Sequence, residues 1–289
     1  MVIPTLRRLD VLRETLESLL ACDPPADELI LVDADPHSGA RVVADEMEGR
    51  SGAPRVQYIR AAPSLTAQRN RGIEAASGDV IVFLDDDVVV PTVTLAKLAD
   101  AYKDAGVVGA TGRIIEPEDE RLGSPRSALR RWLPGGGAEG EFTRYGYPRY
   151  LQTVDQPRDV EYMLGCFMSA RREIAAEVGF DEQMSAYALA EDEDFSYRLS
   201  RLGRIRYLPD LVVHHHKLGF TFRDGRAFGR LVVVNRTYLF RKNFPRTPLA
   251  QGQFALFVLM LMGHRIVNRD WYGLTGLFEG AVVAWRGRK

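Results

Sequence analysis

Three consecutive aspartates, Asp85-Asp86-Asp87, follow directly on the apolar run Val80–Leu84. In extended chain, side chains alternate, so Asp85 and Asp87 are expected on one side and Asp86 on the other. Carboxylates this close repel one another, and each takes up a proton more readily unless a cation or hydrogen-bond donors compensate. A hard divalent metal is the natural compensator. The bland alternative is a solvated acidic turn in front of a helix beginning near Thr92. Against it, the end of a buried strand in an open parallel sheet is where such folds bind ligands.

Three further clusters carry candidate chemistry. Glu191-Asp192-Glu193-Asp194 opens a helix; the positive end of the helix dipole alone would account for acids there. Pro209-Asp210-Leu211-Val212-Val213-His214-His215-His216 is strand-like and ends in three histidines. A neutral ring nitrogen from one of them could join an aspartate in a site favouring manganese over magnesium. Alternation groups His215 with Leu211 and Val213, and His214 and His216 with Val212, so apolarity does not select the ligand. Finally, Arg69 and Arg71 lie in Arg69-Asn70-Arg71-Gly72. An arginine offers a planar fork of donors to a pyrophosphate, although most helical arginines are simply solvated.

The elements that must position these residues alternate through the first half. Val2-Ile3, Glu28–Val32, Val56–Ile59 and Val80–Leu84 are short, β-branched and bounded by polar or turn residues, which predicts strands. Leu12, Leu16, Leu19 and Leu20 give helical spacing over Leu9–Ala21, and Ser64 caps a second helix running to Ala76. The alternation predicts an α/β fold with a mainly parallel twisted sheet flanked by helices. Between Glu116 and about Asp159 the pattern gives way to Pro, Gly and charged residues, which predicts a flexible, substrate-covering segment. A strand over Met163–Ala170, a helix from Arg171, and a helix from Glu191 with Phe195, Leu199 and Leu202 on one face follow. The last part is helical, and its apolar run Phe254–Met262 is well below the roughly 18–20 residues needed to span a bilayer.

In their order and spacing these segments resemble glycosyltransferase family 2, enzymes of the GT-A fold that use nucleotide-activated sugars. The resemblance runs through Val2-Ile3-Pro4-Thr5, Leu31-Val32-Asp33, Arg69-Asn70-Arg71-Gly72, Phe83-Leu84-Asp85-Asp86-Asp87, Gly179-Phe180-Asp181-Glu182, Glu191-Asp192-Glu193-Asp194 and Pro209 with its histidines, covering residues 1 to about 243. It implies inverting transfer from a nucleoside-diphosphate sugar with Mn2+ or Mg2+. Pro4, Thr5 and Asp33 would lie around the base and Arg69 near base or phosphate. Asp85 and Asp86 would lie near ribose and metal, and Asp87 would bind the metal. His215, or next His214, would be the metal-binding histidine, and Asp192 the general base. Glu191 and Asp194 would support the helix start or the acceptor, with Gly165 near the acceptor. Where the family often has glycine before the acidic pair, this chain has Ala190.

Composition bounds the partners. The 289 residues, 46% hydrophobic and 27% charged, describe an ordinary folded protein. Cys22 and Cys166 match no metal or redox spacing, and the start lacks a basic stretch followed by a long apolar run, so cytoplasm is the expected compartment. The net charge of −1 hides an asymmetry: from Leu211 onward there are 13 Lys and Arg against 3 Asp and Glu, and before it 25 against 36. A catalytic domain over 1–216 and a basic helical extension over 217–289 are expected. Basic residues interleaved with apolar ones suit an anionic membrane surface, and hence a lipid-linked or cell-envelope glycan acceptor. The alternative is that these helices pack on the catalytic domain and cover acidic surface. Nucleic acid is excluded by the acidic site and the absence of a reading module. Two rival functions remain: a nucleotidyltransferase, which would want a glycine-rich phosphate loop near the start, and a non-catalytic sugar-nucleotide or membrane adaptor.

Overall fold

The run Glu28–Asp33, strand β2, is buried along its whole length between two parallel neighbours, β1 (Val2–Thr5) and β3 (Arg55–Arg60). Strands flanked on both edges and covered on both faces read as continuous apolar runs. Leu29 and Leu31 join Leu12 and Leu16 of α1 (Leu9–Leu20) and Val43 and Met47 of α2 (Ala40–Glu48) in the main core. Helix α3 (Leu65–Ala75) lies against β1 and β2, and its Ser64 hydroxyl accepts from the Ala67 N–H as the expected cap. A computed structural model provides these coordinates and describes residues 1–287 apart from 36, 38, 51, 118–133, 152–153, 185–188 and 217–223.

The described residues form two compact units, one from 1–122 with 152–218 and the other from 123–151 with 219–289. The segment expected to cover a substrate therefore divides between them, and its residues 118–133 and 152–153 lie outside the described ones. In the first unit the remaining strands are β4 (Val80–Leu84), β5 (Val88–Val89), β6 (Val107–Ile115), β7 (Arg158–Val160), β8 (Phe167–Arg171) and β9 (Arg204–His215). Together they give a nine-stranded sheet of order β3-β2-β1-β4-β8-β6-β9-β5, with β7 on β9. It is parallel from β3 to β4, as the alternation predicts. Beyond β4 it is mixed, because β8 runs antiparallel to both β4 and β6.

Three local expectations change. The strand predicted over Met163–Ala170 starts only at Phe167; the Phe167 N–H donates to the Leu164 carbonyl at 3.1 Å and closes a turn around Gly165. Leu202 lies beyond the end of its helix, α6 (Glu191–Ser200), and is 46% exposed. The strand ending in histidines is longer than its apolar core. Pro209 is accommodated because the β6–β9 register jumps from Gly112↔Leu208 to Arg113↔Val212, a bulge that spares proline a ladder hydrogen bond. After the bulge, β9 pairs His215 with Val88. Helices α4 (Thr94–Ala101) and α5 (Arg172–Val178) complete this unit.

The second unit holds α7 (Gly225–Asn243), α8 (Pro248–Val267) and α9 (Trp271–Trp285), capped by Asp224, Thr247 and Asp270. Helices α7 and α9 approach through glycines: a Cβ at Gly276 would stand 2.0 Å from the Arg226 carbonyl oxygen. Phe254 and Phe257 of α8 pack on Tyr145, and Phe254 stacks on Phe240. Gly263-His264-Arg265 does not end α8, so the helix reaches 20 residues. It is the one helix among the described residues long and apolar enough to cross a membrane by length and composition.

Candidate active site

The carboxyl ends of β1, β2 and β4 bring Thr5, Asp33 and Asp85 to one edge of the sheet. Asp85, Asp87 and His215 there form a triad whose ligand atoms lie within 4.8 Å of one another. The bulged β9 supplies the histidine: Nε2 is 3.3 Å from Asp87 Oδ1, and Nδ1 is 3.1 Å from Glu116 Oε1. Burial alone would lower the His215 pKa; hydrogen bonding with Asp87, Cys166 and Glu116 outweighs it and pushes the ring up to about 12. The imidazolium so favoured is a cation held by carboxylates, where a metal would require the neutral ring. His214 is exposed, and His216 faces Glu14 at 3.2 Å.

Two oxygen donors and one nitrogen donor at such spacing fit a divalent ion of the manganese type. Asp85, Asp87 and His215 are the residues that would hold it, so the triad includes Asp85 as well as the expected Asp87 and His215. Asp86 points elsewhere, as strand alternation anticipates. Its Oδ2 accepts from the Thr5 hydroxyl at 2.7 Å, and Arg8 bridges its Oδ1 to Asp87 Oδ2, the latter at 2.9 Å. Burial pushes the Asp86 carboxyl up to about 6 against the opposing pull of Arg8 and Thr5.

The expected base-binding residues are all buried. Pro4 pairs with Val32 inside the sheet. Asp33 is 1% exposed and accepts from the Tyr58 hydroxyl and the Asp35 N–H, both at 2.9 Å.

Arg69 is 1% exposed, and both Nη atoms of its fork are engaged by acceptors of the protein itself. Nη1 donates to Glu191 Oε1 at 2.9 Å; Nη2 donates to the Gly165 carbonyl at 2.8 Å and to Asp85 Oδ1 at 3.2 Å; the guanidinium lies over the Phe180 ring, 5.2 Å from its centroid. This one side chain links both acidic clusters. Arg71, by contrast, is exposed and pairs with Glu74. Asn70 closes the motif: its amide donates to the Phe180 carbonyl and accepts from the Phe180 N–H, at 2.9 and 2.7 Å, pinning Gly179-Phe180-Asp181-Glu182 to α3. A Cβ at Gly72 would meet Val2 Cγ1 at 2.2 Å, so only glycine lets α3 lie this close to β1.

Asp192 sits half-buried in the first turn of α6. Its Oδ2 accepts from the Tyr162 hydroxyl at 3.0 Å and the Gly165 N–H at 2.9 Å, and its Oδ1 from the Glu193 N–H at 2.9 Å. Every one of these partners donates, so Asp192 is an acceptor at both oxygens with lone-pair capacity left at Oδ1. Gly165 thus meets Asp192 through its N–H and Arg69 through its carbonyl. Burial and the neighbouring Asp192 push Glu191 up, with Arg69 pulling against them. Asp194 is fully buried and held by Arg198 through Nε at 3.0 Å and Nη2 at 2.7 Å, while Arg198 also donates to the Val178 and Gly179 carbonyls. Its place is inside α6, tying it to the end of α5.

Arg8, Glu116 and Tyr162 touch site residues and were absent from the sequence expectations. Arg8 follows the first strand by three residues, the one available hint. Glu116 was submerged in the irregular segment, and Tyr162 meets Asp192 only through the tertiary fold.

A sequence profile described as Glycosyl transferase family 2 matches residues 1–179. The Pre-mycofactocin glycosyltransferase of Mycobacterium tuberculosis is 28% identical over 219 residues, 75% of this chain and 42% of the relative, so the chain spans less than half the relative's length. The Succinoglycan biosynthesis protein ExoM of Rhizobium meliloti is 24% identical over 295 residues, covering 94% of this chain and 88% of ExoM. Among solved structures, S. aureus TarS 1-349 in complex with UDP-GlcNAc aligns with a TM-score of 0.60 at 15% identity, covering 90% of this chain and 71% of TarS. The mannosyltransferase PcManGT of Pyrobaculum calidifontis in complex with GDP-Man and Mn2+ also gives a TM-score of 0.60 at 15% identity, covering 99% and 86%. At these identities the structures establish a shared fold.

Proposed function

The chain belongs to glycosyltransferase family 2, and from that premise we propose that it is a metal-dependent inverting enzyme moving a hexosyl or deoxyhexosyl group from a nucleoside-diphosphate sugar to an acceptor hydroxyl. Asp192 is the general base. Its Oδ2 is fixed by Tyr162 and Gly165, which orients the carboxylate, and Oδ1 retains room to accept the acceptor's proton. Microscopic economy supports a single base: one displacement needs one proton acceptor within hydrogen-bond reach of the attacking oxygen. A divalent ion at Asp85, Asp87 and His215 would supply Lewis-acid stabilisation of charge on the departing diphosphate. Arg69 holds Asp85, the Gly165 carbonyl and Glu191 in fixed relation, so donor side and acceptor side keep their register. Asp33 with Tyr58, and Thr5 with Asp86, shape the buried floor of the donor site.

The acceptor is a polysaccharide or lipid-linked glycan of the cell envelope; the match to the succinoglycan biosynthesis protein along nearly the whole chain supports this class. The observation that carries the catalytic reading is the shared guanidinium and Gly165 link between the triad and Asp192. The test is manganese-dependent release of nucleoside diphosphate from a panel of UDP-, GDP- and dTDP-sugars, comparing the parent with Asp192→Asn. Loss of a base predicts a kcat lowered about 10²–10⁴-fold with donor affinity kept. Donor binding without turnover in both proteins would favour an adaptor, and pyrophosphate formed from sugar phosphate and nucleoside triphosphate would favour a nucleotidyltransferase.

A further inference from the structure

Helices α8 and α9 leave one apolar face uncovered. Nine of the thirteen exposed large apolar side chains among the described residues fall between Leu249 and Trp285. On α8 they follow helical spacing at Leu249, Leu256, Leu259 and Ile266, with no charged residue from Pro248 to Gly263. On α9 they recur every seventh residue at Trp271, Phe278 and Trp285, which are 60%, 63% and 84% exposed. The opposite side of each helix is already engaged: Phe254 and Phe257 of α8 in the aromatic cluster, and the glycines of α9 against α7.

Charge marks the ends of these stripes. Exposed Arg246 stands just before Leu249, exposed Arg269 between Val267 and Trp271, and exposed Arg286 next to Trp285. From Asp224 to Gly287 there are nine Lys and Arg and three Asp and Glu. All three acids are engaged: Asp224 caps α7, Asp270 caps α9 and pairs with Arg265, and Glu279 pairs with Arg226. Aromatic residues with an apolar body and a polar edge, flanked by arginines, suit the boundary between lipid headgroups and acyl chains. A second copy of the chain fits poorly, because a two-fold contact on this face would bring like-charged arginine rims together.

We propose that the exposed faces of α8 and α9 dock in the interfacial layer of a bilayer carrying anionic lipid, with both helices lying in the plane and neither crossing. Packing of Phe254 and Phe257 on Tyr145 and Tyr147 keeps α8 against its own unit, which a spanning helix would have to abandon. The inference deepens the reading of a lipid-linked acceptor and rests on it for its purpose. Docking itself needs neither donor nor acceptor, so its test is independent of catalysis.

The test uses the full chain with vesicles of phosphatidylcholine alone or mixed with phosphatidylglycerol, read by co-sedimentation and by tryptophan emission, alongside nucleoside-diphosphate release. The parent should sediment with the anionic vesicles, shift its emission to the blue, and release as salt is raised. Combined Arg246→Gln, Arg269→Gln and Arg286→Gln should weaken binding about 100-fold, at about fivefold per charge. Trp271→Ser with Phe278→Ser should weaken it at least as much, with the thermal midpoint and donor turnover unchanged. A parent that stays in solution with anionic vesicles overturns the proposal while leaving glycosyl transfer standing. So does binding indifferent to the arginine changes, a dimer that blocks vesicle binding, or protein that resists carbonate extraction as a spanning helix would.

Discussion

Arg69 is the side chain on which the site's two acidic clusters depend, and its replacement by methionine separates that claim from a merely structural one. Methionine keeps the length of the stem and removes the charge. Glu191 and Asp85 then lose their shared counter-ion in a setting where Arg69 is 1% and the Glu191 side chain 10% exposed. Removing one partner of a buried ion pair costs about 3–5 kcal/mol; here the lower end applies, because the Asp85 side chain is 28% exposed. The pH dependence carries the sign. Glu191 is already raised above its ordinary 4.5, so the folded state holds a proton that the unfolded state has released, and stability falls as pH rises from about 4.5 through the folded pKa. Loss of Arg69 raises that pKa further, and each further unit adds about 1.4 kcal/mol to the deficit above it. With the folded Glu191 pKa at about 8, urea unfolding without divalent ions should therefore show a smaller deficit at about pH 5 than at about pH 10. Adding Glu191→Gln should flatten the difference, and Arg69→Lys, which keeps charge but cannot fork to three acceptors, should fall between. A deficit equal at both pH values, or larger at pH 5, would refute the electrostatic account.

Arg8 occupies Asp86 and Asp87 in competition with a metal, so Arg8→Ala should tighten Mn2+ binding severalfold by calorimetry or Mn2+ paramagnetic resonance; weaker binding would mean that Arg8 instead arranges the ligands. Ala190 precedes α6 with φ of 77°, in the left-handed region that costs a residue with a Cβ roughly 1–2 kcal/mol. Ala190→Gly should accordingly stabilise the protein by about 1 kcal/mol after glycine's own entropy is deducted, measured as a higher urea midpoint; an unchanged or lower midpoint would show that the turn is set by other contacts.

The parallel half of the sheet was legible because its signals are local. Apolar runs of five or six residues, a serine cap and leucines at helical spacing each declare an element without reference to distant chain. The aspartate run was legible for the same reason, and alternation separates Asp86 from Asp85 and Asp87. What the sequence concealed depends on long-range pairing. Nothing near Gly165 marks it as the residue that bonds both Arg69 and Asp192; its chemistry is that of a backbone amide and exists only once β8 folds back antiparallel to β4. The family resemblance put Arg69 near base or phosphate, and helical periodicity could not show its burial, because periodicity gives direction and not depth and the ring it lies over, Phe180, is over a hundred residues away. Among the three histidines strand alternation left the choice open and the family resemblance favoured His215, which the bulged β9 sets beside Asp85 and Asp87 through a register shift that a strand pattern cannot reveal.

The reversal of β8 explains why the Asp85, Asp87 and His215 cluster and Asp192 can occupy one edge although they come from elements of opposite direction. Parallel strands alone deliver their carboxyl ends to a single edge, which accounts for Thr5, Asp33 and Asp85. Asp192 lies in the first turn of a helix and Gly165 in the turn that leads into an antiparallel strand, so each reaches the same edge at the amino end of its element. There, unpaired backbone N–H groups are available, and Gly165 donates one to Asp192 as the chain enters β8. Reversal of β8 is thus what lets Asp192 and the pair Asp85 and Asp87 share an edge with Arg69 between them. A sheet parallel throughout would bring only strand carboxyl ends to this edge, and Asp192 would have no N–H donor ahead of a strand start to orient it.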